Sequence, residues 1–251
     1  MPPSKRQREI LRVLEHEGTV ALSTLARKLD VSLETIRRDI KPLADSGSLI
    51  KMHGAIGLAS TIGEAPFERR MRENSEAKRA IAAAVAATIR DGDSIMMDTG
   101  TTTSFLAREL IGHRRLTVVT NSSDIARTLA TLNDNKVYMA GGELRSDNGA
   151  AFGSTAIDFI NRFSVTHAII STGAVNAQGM MDYDLEEAEF ARTVLMRGRR
   201  TLVVTDHSKF GREGLVRVCG FDAITELATD KAPPTEIAEA IETAGARLLL
   251  V

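Results

Sequence analysis

Cysteine is almost missing from this chain: Cys219 is the only one in 251 residues. No intramolecular disulfide can form, and a reducing compartment is expected. Cys219 stands among Leu215, Val216 and Val218, which predicts a buried structural thiol rather than a nucleophile. Long apolar runs are missing as well. The longest, Ala80 to Ile89, is about half of what a bilayer span needs. The opening Met1-Pro2-Pro3-Ser4-Lys5-Arg6 has no apolar signal core. A cytoplasmic protein is expected. The histidines His16, His53, His113, His167 and His207 are scattered without metal-ligand spacing, so no metal is expected. No G-x-G-x-x-G follows a strand, and no Walker-type G-x-x-x-x-G-K occurs. A nicotinamide nucleotide therefore fits poorly, and no cofactor is expected. Internal repeats and low-complexity segments are also absent.

What remains is ordinary globular composition, 43% hydrophobic and 26% charged, with length enough for two domains. The net charge of −1 hides an asymmetry. Residues 1–57 carry ten Lys/Arg against seven Asp/Glu, a net +3, and the remainder 22 against 26, a net −4. A basic head on an acidic body suits a small DNA-binding module joined to something else.

The head has a readable pattern. Residues 5–17 form a first helix, with Ile10, Leu11 and Leu14 inward and Lys5, Arg6, Arg8 and Arg12 outward. After a turn at Gly18, Leu22, Leu25, Ala26 and Leu29 recur at helical spacing, and Ile36, Ile40 and Leu43 do so again. Ser32 is placed to cap the second of these helices. Thr35, Arg37, Arg38 and Lys41 are left on its outer face, the layout of a helix-turn-helix whose second helix enters the major groove. Pro42 predicts a bend or a stop, and Gly47 ends the helix. Leu49 to Met52, a His53-Gly54 turn and Ala55-Ile56 read as a hairpin, completing a winged helix. The competing reading is a helical hairpin with a solvated basic face. Residues 57–66, rich in Gly, Ala, Ser and Thr, read as a linker. The divisions expected are a DNA-binding domain at 1–57, a linker and the start of a connecting helix at 58–75, and a sensing domain at 76–251.

From Asp91 the pattern becomes short apolar strands alternating with helices. The strands fall at Ser94–Met97, Thr117–Thr120, Lys136–Met139, His167–Ser171, Thr201–Thr205, Ile224–Leu227 and Arg247–Val251. Such alternation predicts a mainly parallel α/β sheet covered on both faces. Ligands of such sheets collect at the carboxyl ends of the strands. There lie Asp98-Thr99-Gly100-Thr101-Thr102-Thr103, Asn121-Ser122, Gly141-Gly142-Glu143-Leu144-Arg145, Gly173 with Asp182 to Glu187, and Asp206-His207-Ser208-Lys209-Phe210-Gly211. Glycine permits close backbone approach, while hydroxyls and a helix N-terminus make a phosphate cradle. A lysine neutralises charge, and carboxylates accept from hydroxyls. A small phosphorylated polyol or sugar fits this inventory.

Taken together, Thr35-Ile36-Arg37-Arg38-Asp39, Asp98-Thr99-Gly100-Thr101-Thr102, Thr120-Asn121, Ala140-Gly141-Gly142, Glu187-Ala188-Glu189 and Asp206-His207-Ser208-Lys209-Phe210-Gly211 resemble the DeoR-type bacterial transcriptional repressors, in order and spacing. The resemblance implies a winged helix followed by a sensor domain with a fold like ribose-5-phosphate isomerase and CoA transferases. It also implies a phosphorylated metabolite as inducer and double-stranded operator DNA as partner. Gly141 to Ser146 followed by Asp158-Phe159-Ile160 points, within the family, to the branch responding to glycerol 3-phosphate. Ala55 stands where the family usually has a second glycine.

Ser32, Thr35, Arg37, Arg38, Lys41 and His53 are accordingly the expected DNA contacts. The expected phosphate cradle is Thr99, Gly100, Thr101 and Thr102, with Lys209 as countercharge. Asp98, Glu143 and Asp182 are assigned to hydroxyl recognition, with Asn121 and Gly142 completing the effector set. A homodimer or homotetramer is expected to present two heads to repeated half-sites. Two rival readings are a sugar-phosphate isomerase-like enzyme, with Asp98, Glu143 and Lys209 as acid or base, and a scaffold that only dimerises. The first has no use for a DNA-binding head, and the second leaves the polar strand ends unexplained.

Overall fold

Apolar rows at helical spacing close the first of two units, Met1–Arg69 and Arg70–Val251. The computed structural model describes residues 4–17, 20–45, 49–52, 54–58 and 64–251. In the first unit, α1 (Lys5–Glu17), β1 (Val20–Ala21), α2 (Leu22–Lys28) and α3 (Leu33–Asp45) precede β2 (Leu49–Met52) and β3 (Ala55–Leu58). Ile10, Leu14, Leu25, Ile36, Ile40, Leu43, Leu49 and Ile56 form its core. The hairpin expected from the sequence gains a third strand, because β3 pairs antiparallel with β2 and also with β1, at Val20↔Ile56 and Ala21↔Ala55. Ala55 is thus accommodated as an ordinary strand residue, and Gly54 takes positive φ, at 72°. Gly18, Gly47 and His53 lie outside the described residues.

Ser32 begins α3 as its spacing predicted, its Oγ accepting from Thr35 N at 3.1 Å. Ser32→Ala should lower the stability of this unit by about 1 kcal/mol, read from denaturant unfolding. The helix does not stop at Pro42 but continues to Asp45. Proline removes one hydrogen bond, yet its ring is exposed while Ile40 and Leu43 on either side are buried. That packing outweighs a single lost bond. Arg6 of α1 pairs with Asp39 of α3, and Gln7 Nε2 donates to the Asp39 carbonyl at 3.0 Å.

In the second unit, α4 (Phe67–Arg72, begun in the first) and α5 (Ser75–Ala86) lead into β4 (Ser94–Met97), α6 (Thr101–Glu109), β5 (Thr117–Thr120), α7 (Ser123–Leu129) and β6 (Lys136–Met139). Then come α8 (Ser154–Ile160), β7 (Val165–Ile170), β8 (Ala174–Asn176), β9 (Gly179–Asp182), α9 (Leu185–Leu195) and β10 (Gly198–Val204). The chain ends with β11 (Val216–Cys219), β12 (Glu226–Thr229), α10 (Thr235–Thr243) and β13 (Arg247–Leu250). Seven strands form one parallel sheet in the order β13-β12-β10-β7-β4-β5-β6. One face is covered by α5, α6 and α7 through Ile81, Val85, Leu106 and Ile125, the other by α8, α9 and α10 through Ile160, Phe190, Val194 and Ile237.

The order of strands positions the site. From β4 the chain steps outward to β5 and β6, then returns to β7 on the other side of β4. The loops after β4 and β7 therefore diverge at a topological switch point, where open α/β sheets bind ligands. A second, antiparallel sheet β11-β9-β8 was not expected from the sequence. Cys219 on β11 is half-buried rather than buried, and Leu215 before that strand is exposed. Burial still pushes its thiol up to about 12, which keeps it unreactive. Among the described residues no helix is long and apolar enough to cross a membrane.

Candidate functional site

On α3 the buried row of Ile36, Ile40 and Leu43 turns the opposite row outward. Ser32, Arg37, Arg38 and Lys41 are exposed and Thr35 is half-exposed. With Glu34 they line an open concavity of ≈ 490 Å³. Ser32 Oγ and Thr35 Oγ1 lie 2.8 Å apart, and Arg37 pairs with Glu34 at 3.6 Å. The concavity can therefore offer cationic heads to phosphates and hydroxyls to base edges. Glu34 was missed from the sequence. It lies at i−3, i−4 and i−7 from Arg37, Arg38 and Lys41, a spacing that already placed it on this face.

In the second unit, Asp98 follows β4 and is buried. Its Oδ1 accepts from Ser171 N, after β7, at 3.0 Å. Burial, with Asp182 and Glu187 nearby, pushes the Asp98 carboxyl well above the usual carboxylate range. Gly100 is required by close approach: a Cβ there would lie 1.8 Å from Ser171 Oγ and 2.8 Å from its Cβ. Gly100→Ala should destabilise this unit by about 1–3 kcal/mol through overpacking, seen as a lowered thermal midpoint.

Thr101, Thr102, Thr103 and Ser104, the first turn of α6, are buried, and no side chain caps that turn. The buried Thr99 Oγ1 and Ser104 Oγ have no hydrogen-bond partner among the described residues. After β5, Asn121 is fully buried. Its Nδ2 donates to Ala151 O at 2.9 Å, while its Oδ1 has no partner among the described residues. Buried polar atoms are normally hydrogen-bonded, so these three retain the capacity to bond a polar group that enters here.

The loop after β6 meets the residues after β9 through Arg145, which is not among the expected site residues. Arg145 donates to Asp184 Oδ1 at 2.9 Å and Glu187 Oε1 at 3.2 Å, and lies 4.3 Å over the Phe152 ring. Asn148 Nδ2 also donates to Glu187 Oε1, at 3.2 Å. Gly142 and Glu143, both expected in the site, are exposed; a Cβ on Gly142 would lie 3.6 Å from that of Ala151, whose N–H donates to Asn121 O at 3.1 Å. Among the described residues no hydrogen bond or ion pair brings Glu143 to Asp98. Asp182 is buried, its Oδ1 accepting from Tyr183 N at 2.7 Å and lying close to Gly173.

Lys209 lies in a short helical turn capped by Asp206, whose Oδ1 accepts from Ser208 N at 3.0 Å. Against its own burial, Asp206 is held below the usual carboxylate range by Ser208, Lys78 and Lys209. β10 and β4 are separated only by β7, so their ends are about 10 Å apart at ordinary strand spacing. The Asp98 and Lys209 loops thus flank the loop after β7. His207 engages Asp230 through Nδ1 at 2.6 Å and lies 3.2 Å from Lys231 Nζ.

The raised Asp98 carboxyl carries a pH signature. Between the ordinary Asp range and its folded value, the unfolded chain ionises first, so stability falls as pH rises. Asp98→Asn should therefore raise the thermal midpoint at pH 7–8, with the gain vanishing near pH 4. A midpoint unchanged at every pH would contradict that reading.

A model of the DeoR-like helix-turn-helix domain matches residues 6–61, and one of the DeoR C-terminal sensor domain matches residues 73–231. The chain belongs to the DeoR family. This DeoR-family chain is 34% identical over 246 residues to the HTH-type transcriptional repressor CsqR of Escherichia coli (strain K12), covering 98% of this chain and 94% of that protein. It is 31% identical over 242 residues to the glycerol-3-phosphate regulon repressor of the same organism, covering 96% of each. Ribose 5-phosphate isomerase A from Neisseria gonorrhoeae is 18% identical, with a TM-score of 0.40 over 54% of this chain and 53% of that one. The DeoR-family chain is thus a DNA-binding transcriptional repressor rather than an enzyme.

Proposed function

We propose that this repressor controls a carbohydrate or polyol catabolic operon and leaves its operator when a small phosphorylated polyol or sugar, glycerol 3-phosphate foremost, fills the strand-end site. The observation that carries this reading is the buried, uncapped first turn of α6 beside the unpartnered Thr99 hydroxyl. Helix N–H groups and hydroxyls suit a phosphate, with Lys209 as countercharge. Asp98 and Asp182 face the hydroxylated end of the ligand. A relative named as a glycerol-3-phosphate regulon repressor supports that choice of effector. Arg37, Arg38 and Lys41 hold the operator, and two heads of a homodimer or homotetramer meet repeated half-sites.

Gel retardation of the DNA upstream of its gene tests this directly. Glycerol 3-phosphate should abolish the retarded band at concentrations where glycerol and inorganic phosphate do not. A band unaffected by a panel of polyol and sugar phosphates would sink the reading.

A further inference from the structure

Lys78 lies on the same helical stripe of α5 as Ile81 and Val85, and like them it is buried, at 3% exposure. An apolar side chain would be the stable choice there, because burying a charge costs free energy. Its Nζ instead donates to Arg70 O and to Glu73 O, the latter at 2.8 Å. Those carbonyls end α4, the helix in which the chain passes from the first unit into the second. Carbonyls at a helix end have no partners within the helix, and a cation is a good substitute.

The next residue, Asn74, is the left-handed hinge between α4 and α5, at φ 51°. It does not cap α5 with its side chain. Its Nδ2 donates to Asp206 Oδ1 at 2.9 Å. Burial lowers the Lys78 ammonium to about 8, with Asp206 raising it, Lys209 and Arg70 lowering it and Glu73 raising it. One hydrogen bond, from Asn74 to Asp206, therefore joins the turn at the end of α4 to the loop that carries Lys209, while the buried Lys78 cation holds the same turn through the Arg70 and Glu73 carbonyls.

We propose that Asn74 and Lys78 form a latch that holds the α4–α5 turn in its operator-competent form and is released when an anion settles beside Lys209. The inference rests on the proposed site but reaches residues outside it. An arriving anion competes with Asp206 for the surrounding cations and weakens the hold of that loop on Asn74. Neither residue needs to touch the ligand; both are positioning residues.

The test needs no effector, so its outcome stays separate from the identity of the ligand. Asn74→Gly keeps the left-handed backbone, which glycine adopts freely, and removes only the amide. The full chain is assayed by titration on DNA that the wild type selects from random sequence. Asn74→Gly and Asp206→Ala should each weaken binding about tenfold, and the double variant no more than either alone. Lys78→Met should do the same and Lys78→Arg should restore binding, which a merely structural fault would not. Binding by Asn74→Gly within twofold of wild type, or losses that multiply to about 100-fold in the double variant, would overturn the latch.

Discussion

Replacing Arg37, Arg38 and Lys41 together by alanine should lower operator affinity by about 10²–10⁴-fold, leaving the fold intact. All three side chains are exposed on one row of α3, so their removal takes nothing from the Ile36, Ile40 and Leu43 core. Each cation that meets a phosphate releases counterions, and each one lost lowers the slope of log affinity against log salt by about one. A cation reading a guanine edge acts differently, relaxing preference at one base pair by about 1–3 kcal/mol. Single variants separate the two roles. Arg37 already shares charge with Glu34 at 3.6 Å, so its removal should flatten the salt slope less than that of Lys41. Titration at several salt concentrations reads these values. Unchanged affinity in the triple variant would remove α3 from the groove.

Lys209→Ala should leave operator affinity unchanged without effector and raise the glycerol 3-phosphate concentration needed for release about 10–150-fold. Lys209 stands in the loop after β10, one strand beyond the switch point, where the proposed site needs a cation because a helix N-terminus carries only about half a positive charge. Losing a charge-assisted hydrogen bond costs about 1.5–3 kcal/mol, a 10–150-fold weaker effector. At effector concentrations that just release the wild type, the variant should stay bound. Release at the same concentration would place Lys209 outside the site.

The parallel strands were legible because most hold a run of apolar residues between polar ends; β4, β5 and β6 fall where the pattern placed them, while β7, β10 and β12 are displaced from the expected bounds by one to three residues. The short β1 and β8 were not, because strands of two and three residues hold too little periodicity to stand out; β9 and β11, four residues each, pair antiparallel outside the parallel sheet, which the strand–helix alternation does not encode. Ser32 was legible because a cap is a local signal. Arg145 was not: its importance comes from Asp184 and Glu187, about forty positions away, which only folding brings near. Lys78 lay in view. A lone lysine three residues before Ile81 and seven before Val85 sits on the apolar stripe, and that conflict of charge and position is itself a signal. Glu143 is exposed, a feature that a carboxylate at a strand end does not reveal in sequence.

The central claim is that one chain couples two binding events, and coupling is reciprocal. Calorimetry of glycerol 3-phosphate binding to the full chain, free and saturated with operator DNA, measures it most directly. Affinity for the phosphorylated ligand should fall on the operator by the same factor, about 5–150-fold, by which that ligand weakens operator binding. Equal affinity in both states would contradict the account, since a ligand indifferent to the two forms shifts nothing.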